Sequence, residues 1–479
     1  MLFNSLTFAL FFPVFCALYF LAPQRVRTPL LLVASCGFYM YFVPVYILIL
    51  FVTILIDYVA GIYIARSTGP GKKAWLVGSI VSTCAVLFVF KYLNFFTANL
   101  AAVSHLLGWD ISDPRWKILL PIGLSFHTFQ SLSYVIEVYR GHQKAEKNFI
   151  IYSTYVMFFP QLVAGPIERP QGLLGQFRQH HAFDWARVTS GLRRMAWGFF
   201  KKVVIADRLA LYVGDVYGAP QNFNGLQLSI ATFFFAYQIY CDFSGYSDIA
   251  VGSARILGFR LMENFNTPYY SRSIGEFWRR WHISLSSWFR DYLYNPLVEK
   301  FGSSAGRSFA VIITFGVSGL WHGAAWTYVV WGLLNSAYLL AGRFTKEPRN
   351  RLYLAIGIAE ESALRIAIRI VATFGLTCAA WVIFRAASMH DAGYILGNFW
   401  RNWDFTAIGT GQFLLRQMPV AIGGIILLEA VQLLHRRVNV SSLLARVPLL
   451  PRWAFYLAWV YGMVLFGVFR NEQFIYFQF

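Results

Sequence analysis

Apolar runs close to the width of a bilayer recur from one end of this chain to the other, and the short loops between them are basic. The runs near 1 to 21, 29 to 43, 45 to 65, 75 to 99 and 117 to 138 are separated by Arg25 and Arg27, by Arg66, Lys72 and Lys73, and by Arg140, Lys144 and Lys147. Further runs lie near 192 to 213, 226 to 250, 308 to 341 as a broken pair, 364 to 384, 417 to 434 and 453 to 470. A helix that crosses the hydrocarbon core needs about 20 such residues. The expected fold is therefore all-α and polytopic, with about a dozen membrane-embedded helices, re-entrant elements among them, in a single domain over 1–479.

Composition points the same way. With 57% hydrophobic and 13% charged residues over 479 positions, the chain has too little polar surface to coat a soluble globule of its size. The net charge of +19, from 41 Lys and Arg against 22 Asp and Glu, falls largely in the short loops. That is the positive-inside pattern and a surface for anionic lipid, not a nucleic-acid signature. It puts the basic loops in the cytoplasm and both termini outside. Met1 to Leu21 has no Lys or Arg and no small-residue cleavage site, so it reads as a retained membrane helix. Cys16, Cys36, Cys84, Cys241 and Cys378 are odd in number and scattered through apolar runs, which predicts buried free thiols.

Some runs are interrupted. The stretches around Pro44, around Gly319 to Gly323, and from Phe158 to Pro170 with its three prolines cannot continue a helix. Irregular backbone at membrane depth is tolerated only inside protein. The region 386 to 416, with Trp400, Trp403 and Asp404, is the longest candidate outer loop.

Three clusters carry candidate chemistry. His322 sits between apolar runs in Trp321-His322-Gly323, where an ionisable group marks a protein-lined cavity or pathway. It is either a core histidine bonded to a backbone carbonyl or a functional base, with Gly319 and Gly323 giving a substrate room to approach. The stretch Phe277 to Tyr292 reads as an amphipathic helix, with Arg279, His282, Ser286 and Arg290 on one face and Phe277, Trp281, Leu285, Trp288 and Tyr292 on another. It lies at the interface, or it lines a cytoplasmic mouth where Arg279, Arg280 or Arg290 binds a phosphate-bearing donor. Asp242 and Asp248, in Tyr240 to Asp248 at the end of an apolar run, pair with arginines or take part in chemistry. No His-x-x-x-His, clustered Cys, P-loop or Gly-x-Ser-x-Gly pattern occurs, which argues against metal, nucleotide-hydrolysing and serine-hydrolase chemistry.

Together these segments resemble the membrane-bound O-acyltransferase superfamily, and within it the bacterial alginate O-acetyltransferase-like branch. The resemblance rests on Leu120-Pro121-Ile122-Gly123-Leu124-Ser125-Phe126, Ala164-Gly165-Pro166-Ile167, Asp242-Phe243-Ser244-Gly245-Tyr246-Ser247-Asp248, Phe277-Trp278-Arg279-Arg280-Trp281-His282-Ile283-Ser284-Leu285-Ser286, Gly319-Leu320-Trp321-His322-Gly323 and Phe474-Ile475-Tyr476-Phe477-Gln478-Phe479. His127 departs from it, standing where such proteins often carry an aromatic residue, as does Asn295 to Lys300, which lacks a Gly-rich basic segment.

The resemblance implies an O-acetyltransferase of the bacterial inner membrane. His322 is then catalytic and His282 is the second catalytic-site histidine. Arg279, Arg280, Arg290, Trp281, Trp321, Ser286 and Asp242 are candidates for donor or substrate binding. No tightly bound cofactor or metal is implied. The donor would be acetyl-CoA or a similar acetyl carrier, the acceptor an exported polysaccharide, and a periplasmic SGNH-type protein a partner. Neutral imidazole, with an ordinary pKa of about 6.5, suits removal of a hydroxyl proton at neutral pH. A transporter of acetyl groups or polymer, and a lipid acyltransferase, are the competing readings.

Overall fold

The most apolar of the expected spans folds as one uninterrupted helix, Tyr46–Arg66, of 21 residues. At 1.5 Å per residue it is roughly 32 Å long and matches the hydrocarbon core. The computed structural model describes residues 1–479 apart from 110, 112, 114, 115, 117, 163, 164, 407–416, 437, 439, 470–473 and 476–479, with the backbone alone at 440–442. Among the described residues the regular structure is helical and no strand occurs. Among the described residues five helices are long and apolar enough to cross a membrane: Tyr46–Arg66, Gly69–Leu106, Ala363–Arg385, Met418–His435 and Leu449–Phe466. The chain is a multi-pass membrane protein. Others of the expected runs are shorter or interrupted. The run near 117 to 138 becomes helical only from Leu124, and the run near 192 to 213 passes through a widened π-helical stretch, Phe200–Ala206.

The chain divides into two compact units. The first comprises Met1–Met195 and Ser247–Met262. Its helices Tyr46–Arg66, Gly69–Leu87 and Leu124–Arg140 meet around buried polar contacts. Asp57 accepts hydrogen bonds from Ser79 at 2.5 Å and Thr83 at 3.1 Å. Tyr134 lies so close to Gly61 that a Cβ there would stand 2.6 Å from the tyrosine ring. Asp248 binds Arg194 at 2.5 Å, as an arginine pairing predicts. The proline-rich stretch is broken as expected: the helix Phe149–Met157 is followed by single turns at Phe159–Leu162 and Pro170–Leu173. Ala164, quoted in the resemblance, lies outside the described residues.

The second unit comprises Ala196–Tyr246 and Glu263–Phe479. The broken pair near 308 to 341 is present as helices Ser304–His322 and Trp326–Phe344. They meet at Gly319 and Gly332, where a Cβ would stand 2.2 Å from the backbone oxygens of Tyr328 and Phe315 respectively. A Cβ on Gly323 would fall 2.1 Å from the Tyr328 ring. These glycines therefore serve the close approach of protein to protein, as small residues do between membrane helices, and do not leave room for a substrate. The candidate outer loop 386 to 416 contains the helix Met389–Asn398, and its residues 407–416 lie outside the described ones. All five cysteines are free, but only Cys241 is buried, and Cys84 is exposed. Exposed apolar side chains on lipid-facing helices meet no penalty, so burial by protein is not required of an apolar thiol there.

Candidate active site

The expected amphipathic helix over Phe277 to Tyr292 does not form as one piece. Ser273 caps a short helix, Ile274–Arg280, by accepting from the Glu276 amide. The chain breaks at Trp281 and His282 and restarts as Ile283–Phe289. The break is at His282 itself, whose φ of 43° lies in the left-handed region, which costs a non-glycine residue energy and persists only where its surroundings hold it. The consequence is a different grouping of side chains. His282 is fully buried, whereas Arg279 and Arg290 are exposed, so they do not share the single polar face that helical spacing predicts.

Asn264 holds His282 in this conformation. Its Oδ1 accepts from the Ser284 amide at 3.2 Å and the Ser284 hydroxyl at 2.9 Å, and lies 3.1 Å from His282 Nδ1. A backbone amide only donates, so the shared atom is the oxygen, and His282 Nδ1 must carry a proton to face it. The Asn264 carbonyl also accepts from the Ile283 amide at 2.9 Å. His282 lies outside the five apolar spans. Burial, followed by the neighbouring His322, pushes its pKa well below the ordinary range, which keeps the ring neutral.

His322 is the last residue of its helix and is buried. Its Nδ1 donates to the Ser318 carbonyl, one turn back, at 2.6 Å. A carbonyl only accepts, so the proton again belongs to Nδ1 and the neutral ring offers Nε2 as its basic atom. Aromatic rings enclose it: Trp321 at 5.0 Å, Trp331 at 4.8 Å and Phe384 at 5.6 Å between centroids. Trp331 in turn stacks on Trp381 at 6.0 Å and 14°. Trp321 connects the two histidines, with its ring 6.4 Å from that of His282. The two imidazoles thus share one buried, aromatic-walled locus, each oriented through Nδ1.

The other expected residues divide. Trp321 belongs to the locus. Trp281 is a core residue, buried between Phe277 at 5.5 Å and Trp381 at 5.1 Å. Ser286 Oγ donates to the Trp281 carbonyl at 3.2 Å, a local backbone contact. Asp242 lies within the helix Gly225–Leu257 and not at its end. It pairs with a lysine where an arginine was expected: Lys202 Nζ lies 2.7 Å from both Asp242 and Asp207. The second oxygen of Asp242 accepts from the Ile475 amide at 2.9 Å. Removing one partner from a buried pair of this kind costs about 3–5 kcal/mol.

Among the arginines, Arg280 is tied to Glu276 at 2.8 Å and Thr267 at 3.2 Å, and Arg290 to Asp291 at 2.9 Å. Among the described residues Arg279 has no ion pair and is exposed. It is the cation of the three that is left for an anionic ligand. Asn264, Ser318, Trp331, Trp381 and Phe384 carry no motif or spacing that would have singled them out. They are recognised only by what they touch.

The membrane-bound O-acyltransferase family profile matches residues 140–384, an interval that contains both histidines. The chain is 40% identical to a probable alginate O-acetylase of Pseudomonas syringae pv. tomato over 83% of this chain and 74% of that protein. It is 30% identical to a peptidoglycan O-acetyltransferase of Helicobacter pylori over 83% of this chain and 79% of that protein. A teichoic acid D-alanyltransferase of Bacillus subtilis is 26% identical over 68% of this chain and 82% of its own length.

Proposed function

Because this chain belongs to the membrane-bound O-acyltransferase family, we propose that it passes acetyl groups from a cytoplasmic thioester donor, acetyl-CoA or its equivalent, toward hydroxyls of an exported polysaccharide. It is an O-acyltransferase. The acetyl group and the polysaccharide rest on its likeness to an alginate O-acetylase and a peptidoglycan O-acetyltransferase. The bacterial inner membrane as its location, and a periplasmic SGNH-type partner that completes transfer to an alginate- or cellulose-like polymer, belong to the same reading.

The observation that carries the mechanism is the hydrogen bond from His322 Nδ1 to the Ser318 carbonyl inside an aromatic enclosure. It directs the Nε2 lone pair at the reacting groups. Nε2 takes the proton of the acceptor hydroxyl as the oxygen attacks the thioester carbonyl. A C–O bond forms, the C–S bond breaks, and the thiolate recovers the proton from the imidazolium. Positioned general-base catalysis of this kind is worth ~10²- to 10⁴-fold. His282, oriented by Asn264, holds donor or acceptor in register beside it. The aromatic walls keep water from competing for the thioester.

Arg279 supplies the donor end, since guanidinium binds phosphate and is too basic to move protons at neutral pH. Arg279→Gln is expected to raise the KM for the donor about tenfold, the worth of one charge-assisted hydrogen bond, with kcat little changed. A fall in kcat at saturating donor with KM unchanged would remove Arg279 from this role.

The test of the function uses the protein in vesicles of bacterial phospholipid with radiolabelled acetyl-CoA and an acceptor glycan. The expected result is cleavage of the thioester with label appearing as glycan ester. Label that crosses the membrane with its thioester intact would make the protein a transporter. Label in phospholipid, with preference for long acyl chains, would make it a lipid acyltransferase.

A further inference from the structure

Phe474 and Ile475 lie far along the chain from either histidine and outside the residues matched by the family profile, yet they are among the most buried side chains, at 0% and 2% exposure. Neither is used by the chemistry above. The Ile475 amide donates to Asp242 Oδ2 at 2.9 Å, and Asp242 is itself held by Lys202 at 2.7 Å. A hydrogen bond to an ionised, buried carboxylate is among the stronger ones a backbone amide can make, so the segment is pinned to the helix Gly225–Leu257 at Asp242.

The next residue on that helix, Phe243, stands between this segment and the active site. Its ring meets the Phe474 ring at 5.7 Å on one side and the His282 ring at 4.5 Å and 87° on another, with Phe265 at 5.0 Å completing the contact. Phe474 also packs on Tyr246 at 4.5 Å, one helical turn further on. Phe243 and His282 are both fully buried. Buried rings in van der Waals contact have no free volume to move into, so the position of one fixes the position of the next.

His282 depends on such a neighbour. Its left-handed backbone must be held by its surroundings. Asn264 restrains one ring nitrogen, while the edge-to-face contact with Phe243 restrains the ring plane. We infer that the Phe474–Ile475 segment is a positioning strap for the active site: anchored on Asp242, it backs Phe243 with Phe474 and so sets the orientation of His282. The inference rests on the proposed role of His282 beside His322. It assigns Phe474 and Ile475 no contact with substrate. It also gives Asp242 a task other than donor or substrate binding, that of anchoring the strap.

The experiment compares Phe474→Ala, Phe474→Leu and Ile475→Pro in the full-length protein in detergent, each normalised to folded, monodisperse material. Leucine keeps apolar volume behind Phe243, alanine removes it, and proline removes the amide donor while also replacing the buried Ile475 side chain and fixing φ. The direct readout is the nitrogen-15 resonance of the His282 side chain in histidine-labelled protein. It should shift in Phe474→Ala and Ile475→Pro and return toward the wild-type position in Phe474→Leu. The kinetic readout is a fall in kcat of ~10-fold or more with KM unchanged, the cost of a misplaced group, with Phe474→Leu recovering most of it. A His282 resonance unmoved in folded Phe474→Ala or Ile475→Pro would overturn the strap whatever the activity does. If Phe474→Ala fails to fold, Ile475→Pro and Phe243→Leu decide the question by the same resonance. His322→Asn, run alongside, separates the two ideas: undiminished transfer in that variant overturns the proposed base role of His322, while the resonance still judges the strap.

Discussion

Two buried histidine environments, one in each unit, differ in a way that burial alone would hide. His127, in the helix Leu124–Arg140 of the first unit, is 2% exposed, and neither ring nitrogen has a hydrogen-bond partner among the described residues. His322 and His282, in the second unit, are 3% and 0% exposed, and each is fixed through Nδ1, one by a backbone carbonyl and the other by an amide oxygen. An acceptor on Nδ1 decides the tautomer and aims Nε2, which an unanchored ring cannot do. What sets His322 and His282 apart from His127 is the acceptor behind Nδ1, not the depth at which they lie.

The comparison is broken most severely by removing the anchored base. His322→Asn keeps size and polarity but cannot take up a proton, so transfer should fall by at least ~10²-fold with expression intact. Acetylation of the acceptor by the purified variant measures this, and near-normal transfer would return His322 to a structural role. Asn264→Leu tests the anchor and leaves both imidazoles in place. With the acceptor gone, His282 loses its tautomer and its backbone support, and kcat should drop by about tenfold to a hundredfold. Steady-state kinetics at saturating donor would expose the error if kcat held. The smallest effect belongs to His127→Phe, where the family resemblance itself points to an aromatic residue. Transfer should stay within about twofold, and stability should hold or rise by about 1 kcal/mol as two unsatisfied buried nitrogens disappear. Thermal unfolding in detergent and the transfer assay read both. A loss of transfer comparable with that of His322→Asn would erase the distinction between the two units.

The span Tyr46–Arg66 and the break between the helices at Gly323 were both legible in the sequence, because hydropathy and helix-breaking residues act locally. His322 was legible as a candidate for the same reason, an ionisable side chain standing out in an apolar setting. The continuous amphipathic helix over Phe277 to Tyr292 was not what formed. Helical periodicity cannot register a single residue driven into the left-handed region by tertiary contacts, and His282 is that residue. The pairing of Asp242 was legible in kind but not in partner, since Lys202 lies forty positions away.

By itself, then, the chain's pattern of apolar runs and basic loops determined an all-helical membrane protein, and its motifs brought forward His322 and His282. Tertiary structure alone decided that Asn264 orients His282, that Arg279 is the one of Arg279, Arg280 and Arg290 without an ion pair among the described residues, and that Phe474 reaches the back of Phe243. The physical reason is range. Partition into a bilayer is a sum over neighbouring residues and can be read along the chain. The acceptor for His322 is one helical turn away and comes with the helix, whereas the acceptor for His282 is 18 residues away, and only the folded chain brings it within hydrogen-bond distance.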